Sequence, residues 1–350
     1  LSYINSIMSS QITIDTNSQT PVYKQLINNI QALVNSDILQ KGDVLPSLNE
    51  LSHHLGISKE TVKKSYVHLR NKGIIESAHG KGFYIVDKIK EKISILLIFD
   101  KISSHKQVLL NSFTTNLNDN TEITIRLHNQ DISLFEKFVE ENIDRFDFFV
   151  ITPHFPLDDI SQKRVIKILK KIPNRKLILL DRKIEALRGN YGVIYQDFEI
   201  DVYKGLSLGI DTMKKFDKLK VFSMPGSLYA RLIEKGISRF CSENKLPYEI
   251  LHDIDINTIQ KNEVYLVINS QLDSELIELI RTAKTKDLKI GSDIGIISYN
   301  ESPINEIILD GLTVISTDFT EMGRLAAKMI TTKSFEKVRC NFLMIRRSSF

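Results

Sequence analysis

Two groups of side chains have the type and spacing to do chemistry. The first is cationic. Lys59, Lys63 and Arg70 fall on one face of a helical stretch whose Val62, Tyr66 and Leu69 point the other way at i, i+4 and i+7. Between Lys59 and Lys90 positive charges exceed negative ones by five, against four for the whole chain, so the excess is concentrated where a phosphate backbone could be met. A lysine-rich helix alone is ordinarily a solvated face. Here a short helix precedes it and a hairpin bearing Gly80 and Gly82 follows, which is the shape that reads duplex DNA. The second group is polar. Asp100, Asp181 and Asn269 each follow an apolar run of strand length, at the carboxyl ends where open parallel sheets bind ligands.

The elements that must position the cationic group are compact. Val22, Leu26, Ile30, Leu33 and Val34 share a face, so Val22–Asn35 is a predicted helix, with Thr20 as its N-cap and Pro21 in its first position. Gly42 and Asp43 break the pattern. Pro46 and Ser47 open a second helix with Leu48, Leu51 and Leu55 inward, and Gly56 stops it. Ser58 caps the third helix and Gly73 ends it. Ile74–Glu76 and Phe83–Val86 read as two strands. Ile12–Asp15 is expected to add a short strand, and the residues ahead of it read as disordered or as a start-site extension. His53 and His54 should face solvent.

These residues resemble the winged helix-turn-helix of the GntR family of bacterial regulators. The matching pieces are Pro21, Tyr23 and Gln25; Gly42, Asp43, Leu45, Pro46 and Ser47; Glu50 and Leu51; Ser58, Lys59, Thr61 and Val62; and Gly80 with Gly82. The resemblance implies that Ser58, Lys59, Thr61 and Lys63 enter the major groove, with Ser47 and Asn49 on the preceding helix. It also implies that His79 and Gly80 of the wing approach the minor groove or backbone. Asn49 stands where the family usually has Arg, which replaces a charged guanine reader by an uncharged amide.

Lys88–Lys92 reads as a linker. Beyond it, apolar runs at Ile93–Phe99, Phe148–Thr152, Leu177–Leu180, Lys220–Phe222, Tyr265–Ile268 and Ile294–Ser298 alternate with helical stretches. Strands this uniformly apolar belong to parallel sheets covered on both faces. Leu179–Arg182, Val267–Gln271, Gly291–Glu301, Leu312–Asp318, Met322–Gly323, Ala326–Ala327 and Arg347–Ser349 resemble the effector domain of LacI/GalR regulators. The resemblance implies a periplasmic-binding-protein fold: two α/β lobes, three crossover strands and a small carbohydrate between them. A GntR-type reader joined to a LacI-type sensor is similar to the arabinose-responsive AraR type. The expected organisation is a winged helix-turn-helix at 12–87, a linker at 88–92 and an effector domain at 93–350. Lobe one is expected at about 93–195 and 301–316, and lobe two at about 197–298 and 318–345. The crossings are expected near Gln196, Tyr299 and Thr317. The same resemblance implies Asp181, Asn269 and Asn300 as ligand residues, Asn300 at a crossover. The family pattern has Asp there, so a less anionic site is implied. Arg231 lies two residues from the family's Arg, where Ile233 stands instead. Phe155, Tyr191 and Tyr229 are candidates for stacking on a sugar ring, since the chain has no Trp.

The expected partners are double-stranded operator DNA, a small-molecule effector and a second copy of the chain. No cofactor or metal is expected. No apolar run approaches the ~18–20 residues of a membrane span. The start of the chain lacks the layout of a signal peptide, and Cys241 and Cys340 read as unpaired reduced thiols, which together favour a cytoplasmic protein. The alternative reading is a DNA-binding head fused to a catalytic body. It lacks a nucleophile elbow, a phosphate loop and a recognisable cofactor lysine. All-helical or short antiparallel effector bodies are disfavoured by the parallel-type strands.

Overall fold

The computed structural model describes residues 11–16, 18, 20–78, 82–86, 92–223, 227–252, 259–268 and 274–350. The chain divides into two compact units, 1–91 and 92–350. The expected linker lies outside the described residues except for Lys92, as do His79, Gly80 and Asn269.

In the first unit three helices, α1 (Val22–Asn35), α2 (Leu48–Leu55) and α3 (Lys59–Asn71), are followed by an antiparallel hairpin of β1 (Ile75–Ala78) and β2 (Gly82–Ile85). Leu26, Ile30, Leu51, Val62, Tyr66, Leu69, Ile75 and Ile85 form its core. The sequence misplaces one cap. Pro21 is itself the N-cap of α1, without a side-chain bond, and Thr20 lies outside the helix. Proline's fixed φ and missing N–H suit that end of a helix, so the proline shifts the start by one residue. Ile12–Asp15 forms no strand. Ile12 is buried, and Gln25 holds the segment by exchanging bonds with Asp15 (N to Oε1 2.9 Å, Nε2 to O 2.9 Å). Side-chain bonds thus satisfy a backbone that a strand would have paired.

The second unit holds two six-stranded sheets. The first has the order β13-β7-β6-β5-β3-β4 and is parallel throughout: β3 (Ile93–Phe99), β4 (Thr121–Leu127), β5 (Phe148–Ile151), β6 (Leu177–Asp181), β7 (Gly192–Tyr195) and β13 (Lys337–Arg339). The second has the order β14-β12-β11-β10-β8-β9: β8 (Lys218–Phe222), β9 (Tyr248–Leu251), β10 (Glu263–Val267), β11 (Ile294–Tyr299), β12 (Thr313–Thr317) and β14 (Phe342–Ile345). Only β14 is antiparallel to its neighbour. Helices α4 (Ser104–Thr115), α5 (Ile132–Glu140) and α6 (Asp159–Leu169) serve the first sheet. Helices α7 (Phe198–Ser207), α8 (Ile210–Met213), α9 (Ala230–Asn244) and α10 (Ser274–Thr285) serve the second.

The last third of the chain corrects the expected lobes. β12 pairs with β11 in the second sheet, so 301–316 belongs to lobe two. Helix α11 (Phe319–Thr332) packs on α4, and β13 pairs with β7, so 319–339 belongs to lobe one. The crossings lie at Gln196, at Thr317–Asp318 and at Cys340–Asn341, and Tyr299 is not one of them. The physical reason is strand order. β11 is an interior strand that needs a parallel partner on its open side, and β12 follows it closely enough to supply one.

Gly323 shows how closely the chain packs here. A β carbon at this position would stand 2.4 Å from the Leu109 carbonyl oxygen and 2.8 Å from the Phe113 nitrogen, both backbone atoms of α4. Glycine in mid-helix is intrinsically unfavourable, so it serves the close approach of α11 to α4. Gly323→Ala is therefore expected to destabilise the effector unit by about 1–3 kcal/mol through overpacking. Thermal denaturation monitored by circular dichroism should show a lowered Tm, and an unchanged Tm would contradict this packing.

Candidate nucleic-acid interface and interlobe site

Helix α3 is held against α1 from below. Ser65 Oγ donates to the Tyr23 carbonyl at 3.1 Å, and the buried Tyr66 hydroxyl donates to the Pro46 carbonyl at 2.9 Å. Lys59, Lys63 and Arg70 are exposed, and Lys63 makes only a loose contact with Glu60 at 3.6 Å. Ser47 and Ser58 prove to be N-caps. Ser47 forms a reciprocal capping box with Glu50. Ser58 Oγ accepts from the Thr61 amide at 3.2 Å and lies 2.8 Å from Thr61 Oγ1. Each cap satisfies an orphan amide of its helix and fixes where that helix starts. Asn49 is exposed on α2. The sequence reading passed over Lys64, whose ammonium sits 4.0 Å over the Tyr23 ring. With Val22, Glu60, Thr61, Lys63 and Val67, these two line a surface groove of about 520 Å³. The i+1 spacing from Lys63 was the available signal.

At the interlobe site, strand order places a switch point between β3 and β5. Asp100 follows β3, and Thr152 and His154 follow β5. Asp181 ends β6, and Lys106 reaches over from α4. Asp100, Lys106, His154 and Asp181 are all between 3% and 7% exposed. Lys106 is ion-paired and hydrogen-bonded to Asp100. His154 Nδ1 lies 3.5 Å from Asp100 Oδ1, and its Nε2 lies 3.1 Å from Asp181 Oδ2. Both ring nitrogens face a carboxylate, an arrangement that favours the imidazolium over the neutral ring. Burial alone would lower the pKa of His154, but the contacts with Asp100 and Asp181 outweigh it and raise it. Burial likewise works against the charge on both aspartates and is outweighed, chiefly by His154, so both carboxyls are held below the usual range. By contrast, burial pushes neighbouring His105 and His128 down to about 4, which leaves them neutral at pH 7.

A pH dependence follows. A raised histidine pKa gives stability that is fully present below the unfolded value of about 6.5 and is lost as pH rises through the folded value. The second unit is therefore expected to lose thermal stability on the alkaline side of neutrality, and His154→Gln should flatten that limb. Melting curves between pH 6 and pH 9 check this. A wild-type limb no steeper than the variant's would refute the imidazolium.

From lobe two, Tyr229 presents its ring to His154 edge-on at 5.2 Å and stacks on Phe198 at 4.0 Å. Among the described residues, the buried hydroxyls of Tyr229 and Tyr299 and Oδ1 of Asn300 have no hydrogen-bond partner. Buried polar groups are rarely left so, and these three lie at strand ends or a helix start of lobe two. Asp181 and Asn300 share another trait. Both have φ of +71°, in the left-handed region that few residues with a β carbon adopt. Asn300 follows β11 inside lobe two rather than at a crossover.

Two of the three aromatic candidates are core residues. Phe155 is fully buried on His128 and Phe135, and Tyr191 is buried with its hydroxyl bonded to the Leu187 carbonyl at 2.8 Å. Both are claimed by the apolar layer under the first sheet, so only Tyr229 reaches the site. Arg231 is exposed on α9. The residues that sequence reasoning missed are Lys106 and His154. Lys106 lies one residue ahead of the predicted helical stretch Gln107–Leu117, and His154 follows Thr152-Pro153 in a loop, where only its place after a parallel strand could have drawn notice.

Comparison with known proteins fits both units. The pattern of "Bacterial regulatory proteins, gntR family" matches residues 22–85, and that of "Periplasmic binding protein-like domain" matches 221–337. The uncharacterised HTH-type transcriptional regulator YhcF of Bacillus subtilis is 31% identical over 84 residues, which are 22% of this chain and 69% of YhcF. The chain belongs to the gntR family of bacterial regulatory proteins. Another relative of this gntR-family regulator is the HTH-type transcriptional repressor YtrA of B. subtilis, 40% identical over 79 residues (23% of this chain, 61% of YtrA). A third is the mannosyl-D-glycerate system repressor MngR of Escherichia coli, 29% identical over 97 residues (26% and 40%). The chain thus spans less than two thirds of YtrA and MngR. In fold, the regulator's second unit is similar to the trehalose repressor of E. coli, with a TM-score of 0.59 and 11% identity over 73% of this chain and all of that one. It is also similar to a LacI-family regulator of Enterococcus faecium solved with bound ribose, with a TM-score of 0.55 and 17% identity over 73% and 98%. The gntR-family regulator therefore carries a LacI-type, periplasmic-binding-protein-like domain behind its DNA-binding unit. No helix among the described residues is long and apolar enough to cross a membrane.

Proposed function

We propose that this regulator is a repressor whose affinity for operator DNA is set by a small uncleaved carbohydrate held between the two lobes. The observation that carries the reading is the buried cluster of Asp100, Lys106, His154 and Asp181, against which Tyr229 of lobe two packs at His154. Carboxylates accept from sugar hydroxyls and the ammonium and phenols donate, so such a set suits vicinal diols and rejects analogues that lack them. Asp181 and Asn300 are proposed as ligand residues, and Asn269 by its place after β10. Lys59, Lys63, Asn49 and Thr61, together with His79 and Gly80 of the wing, are proposed to meet the operator. Ser47 and Ser58 would orient the helices that do so. The likeness to a dimeric Lac repressor, at a TM-score of 0.58, supports two copies joined through their effector units. Movement of the lobes would alter the spacing of two winged helices and hence the fit to a two-fold operator.

A thermal-shift screen of the full chain against pentoses, hexoses and their phosphates tests the reading. A ligand that binds only the native state raises Tm by mass action. A rise with one sugar, matched by altered operator binding in a fluorescence anisotropy assay, is expected. No rise with any would overturn it.

A further inference from the structure

Asp181 and Asn300 lie on different lobes, yet hydrogen bonds from both ends of the site converge on Thr317, where the chain crosses between them. Gln196, in the first crossover, is buried. Its Nε2 donates to Asp181 Oδ1 at 2.5 Å, and its Oε1 accepts from Thr317 Oγ1 at 2.8 Å. The direction of this chain is fixed. An ionised carboxylate can only accept, so the amide nitrogen must face Asp181, the amide oxygen must face Thr317, and the Thr317 hydroxyl must donate.

From the other side, the amide of Glu301, next to Asn300, donates to Ser316 Oγ at 2.9 Å. Ser316 Oγ in turn donates to the Thr317 carbonyl at 2.8 Å. Thr317 is 2% exposed, and Asp318 beside it donates its amide to Asn341 in the third crossover at 3.0 Å. Arg339 of lobe one is ion-paired with Asp201 of lobe two beside these strands. The three crossovers are thus laced together where the two ligand residues are anchored.

We infer that Gln196 and Thr317 are positioning residues that join the Asp181 and Asn300 ends of the interlobe site to the hinge. Contact with ligand at Asp181 is passed through the Gln196 amide to Thr317. Contact at Asn300 reaches the same residue through Ser316. The left-handed backbone at Asp181 and Asn300 makes this economical, because a strained strand end has few ways to relax without moving its neighbour. The inference deepens the effector reading and rests on it for its purpose, but the wiring can be measured with no ligand present.

The test is amide hydrogen exchange on the ligand-free full chain. It compares wild type, Thr317→Val, Thr317→Ser, Gln196→Leu and the double variant Gln196→Leu/Thr317→Val. Valine keeps the shape of threonine and removes only the hydroxyl. Thr317→Val is expected to speed exchange at the Gln196 amide, which is bonded to the Asp181 carbonyl, by about fivefold, the effect of one typical hydrogen bond. Thr317→Ser, which keeps the hydroxyl, should restore the wild-type rate. The double variant should be no faster there than Gln196→Leu alone, since both changes cut one chain.

Unchanged exchange at Gln196, additive effects in the double variant, or serine behaving as valine would each overturn the inference. So would acceleration spread evenly to Ile95–Phe99, which would mark Thr317→Val as a general destabiliser. Failure of the sugar screen would remove the effector reading and leave this measurement standing.

Discussion

Replacing Asp181 by alanine is expected to abolish the response to effector while leaving operator affinity within about twofold of wild type. The side chain is 3% exposed and receives His154 and Gln196. Its loss removes a hydroxyl acceptor from the site and leaves His154 with Asp100 alone. Removing one partner of a buried charge pair typically costs about 3–5 kcal/mol, so the effector unit should also melt earlier. The winged unit has its own core and should not follow. The check is operator binding by fluorescence anisotropy with and without the sugar found by thermal shift, alongside calorimetry resolving the two units. An Asp181→Ala chain that still responds to sugar would remove this residue from the site. One that no longer binds operator at all would contradict the separation of the units.

The second large effect is expected at Lys63. It is exposed on α3 and held only loosely by Glu60, so its charge is available to a phosphate. Lys63→Ala should weaken operator binding several-fold. It should also reduce the slope of log affinity against log salt by about 0.9, the release of one counterion. Sugar affinity should not change. Binding isotherms at four salt concentrations decide it. A drop in affinity with an unchanged salt slope would mean that Lys63 reads a base or packs, and that phosphate neutralisation lies elsewhere on α3.

The parts legible in the sequence were those written as contrast. The interior strands β3, β5, β6 and β11 are almost wholly apolar and stand out in the sequence, as do the apolar ends of β8 and β10, whereas the interior β7 has only four residues and does not. β4, at the edge of its sheet, reads Thr-Glu-Ile-Thr-Ile-Arg-Leu, half polar, and was missed. β13 has three residues, too few for any period to show. The lobe assignment of the last third failed because a crossover is a statement about which sheet a strand joins, and local pattern does not carry that. Similarly, Asp181 and Asn300 could be named from their places at strand ends and from resemblance. Lys106 and His154 could not, since what marks them is the approach of α4 and of the loop after β5 to the same two aspartates. The caps at Ser47 and Ser58 were visible as Ser followed three residues later by Glu or Thr. The hydrogen bonds add the reciprocal partner at Ser47, the Glu50 carboxylate on its amide.

The threading of the second unit bears on how the chain is made. Residues 319–339 return to lobe one and 342–345 to lobe two, so each sheet waits for an edge strand from the final stretch of the sequence. The winged unit closes its core by Ile85. Domains generally fold as units in order of synthesis. On the ribosome, therefore, the winged unit can be finished while neither lobe of the second unit is. A message truncated anywhere in the intervening stretch would encode the winged unit without the two lobes that follow it.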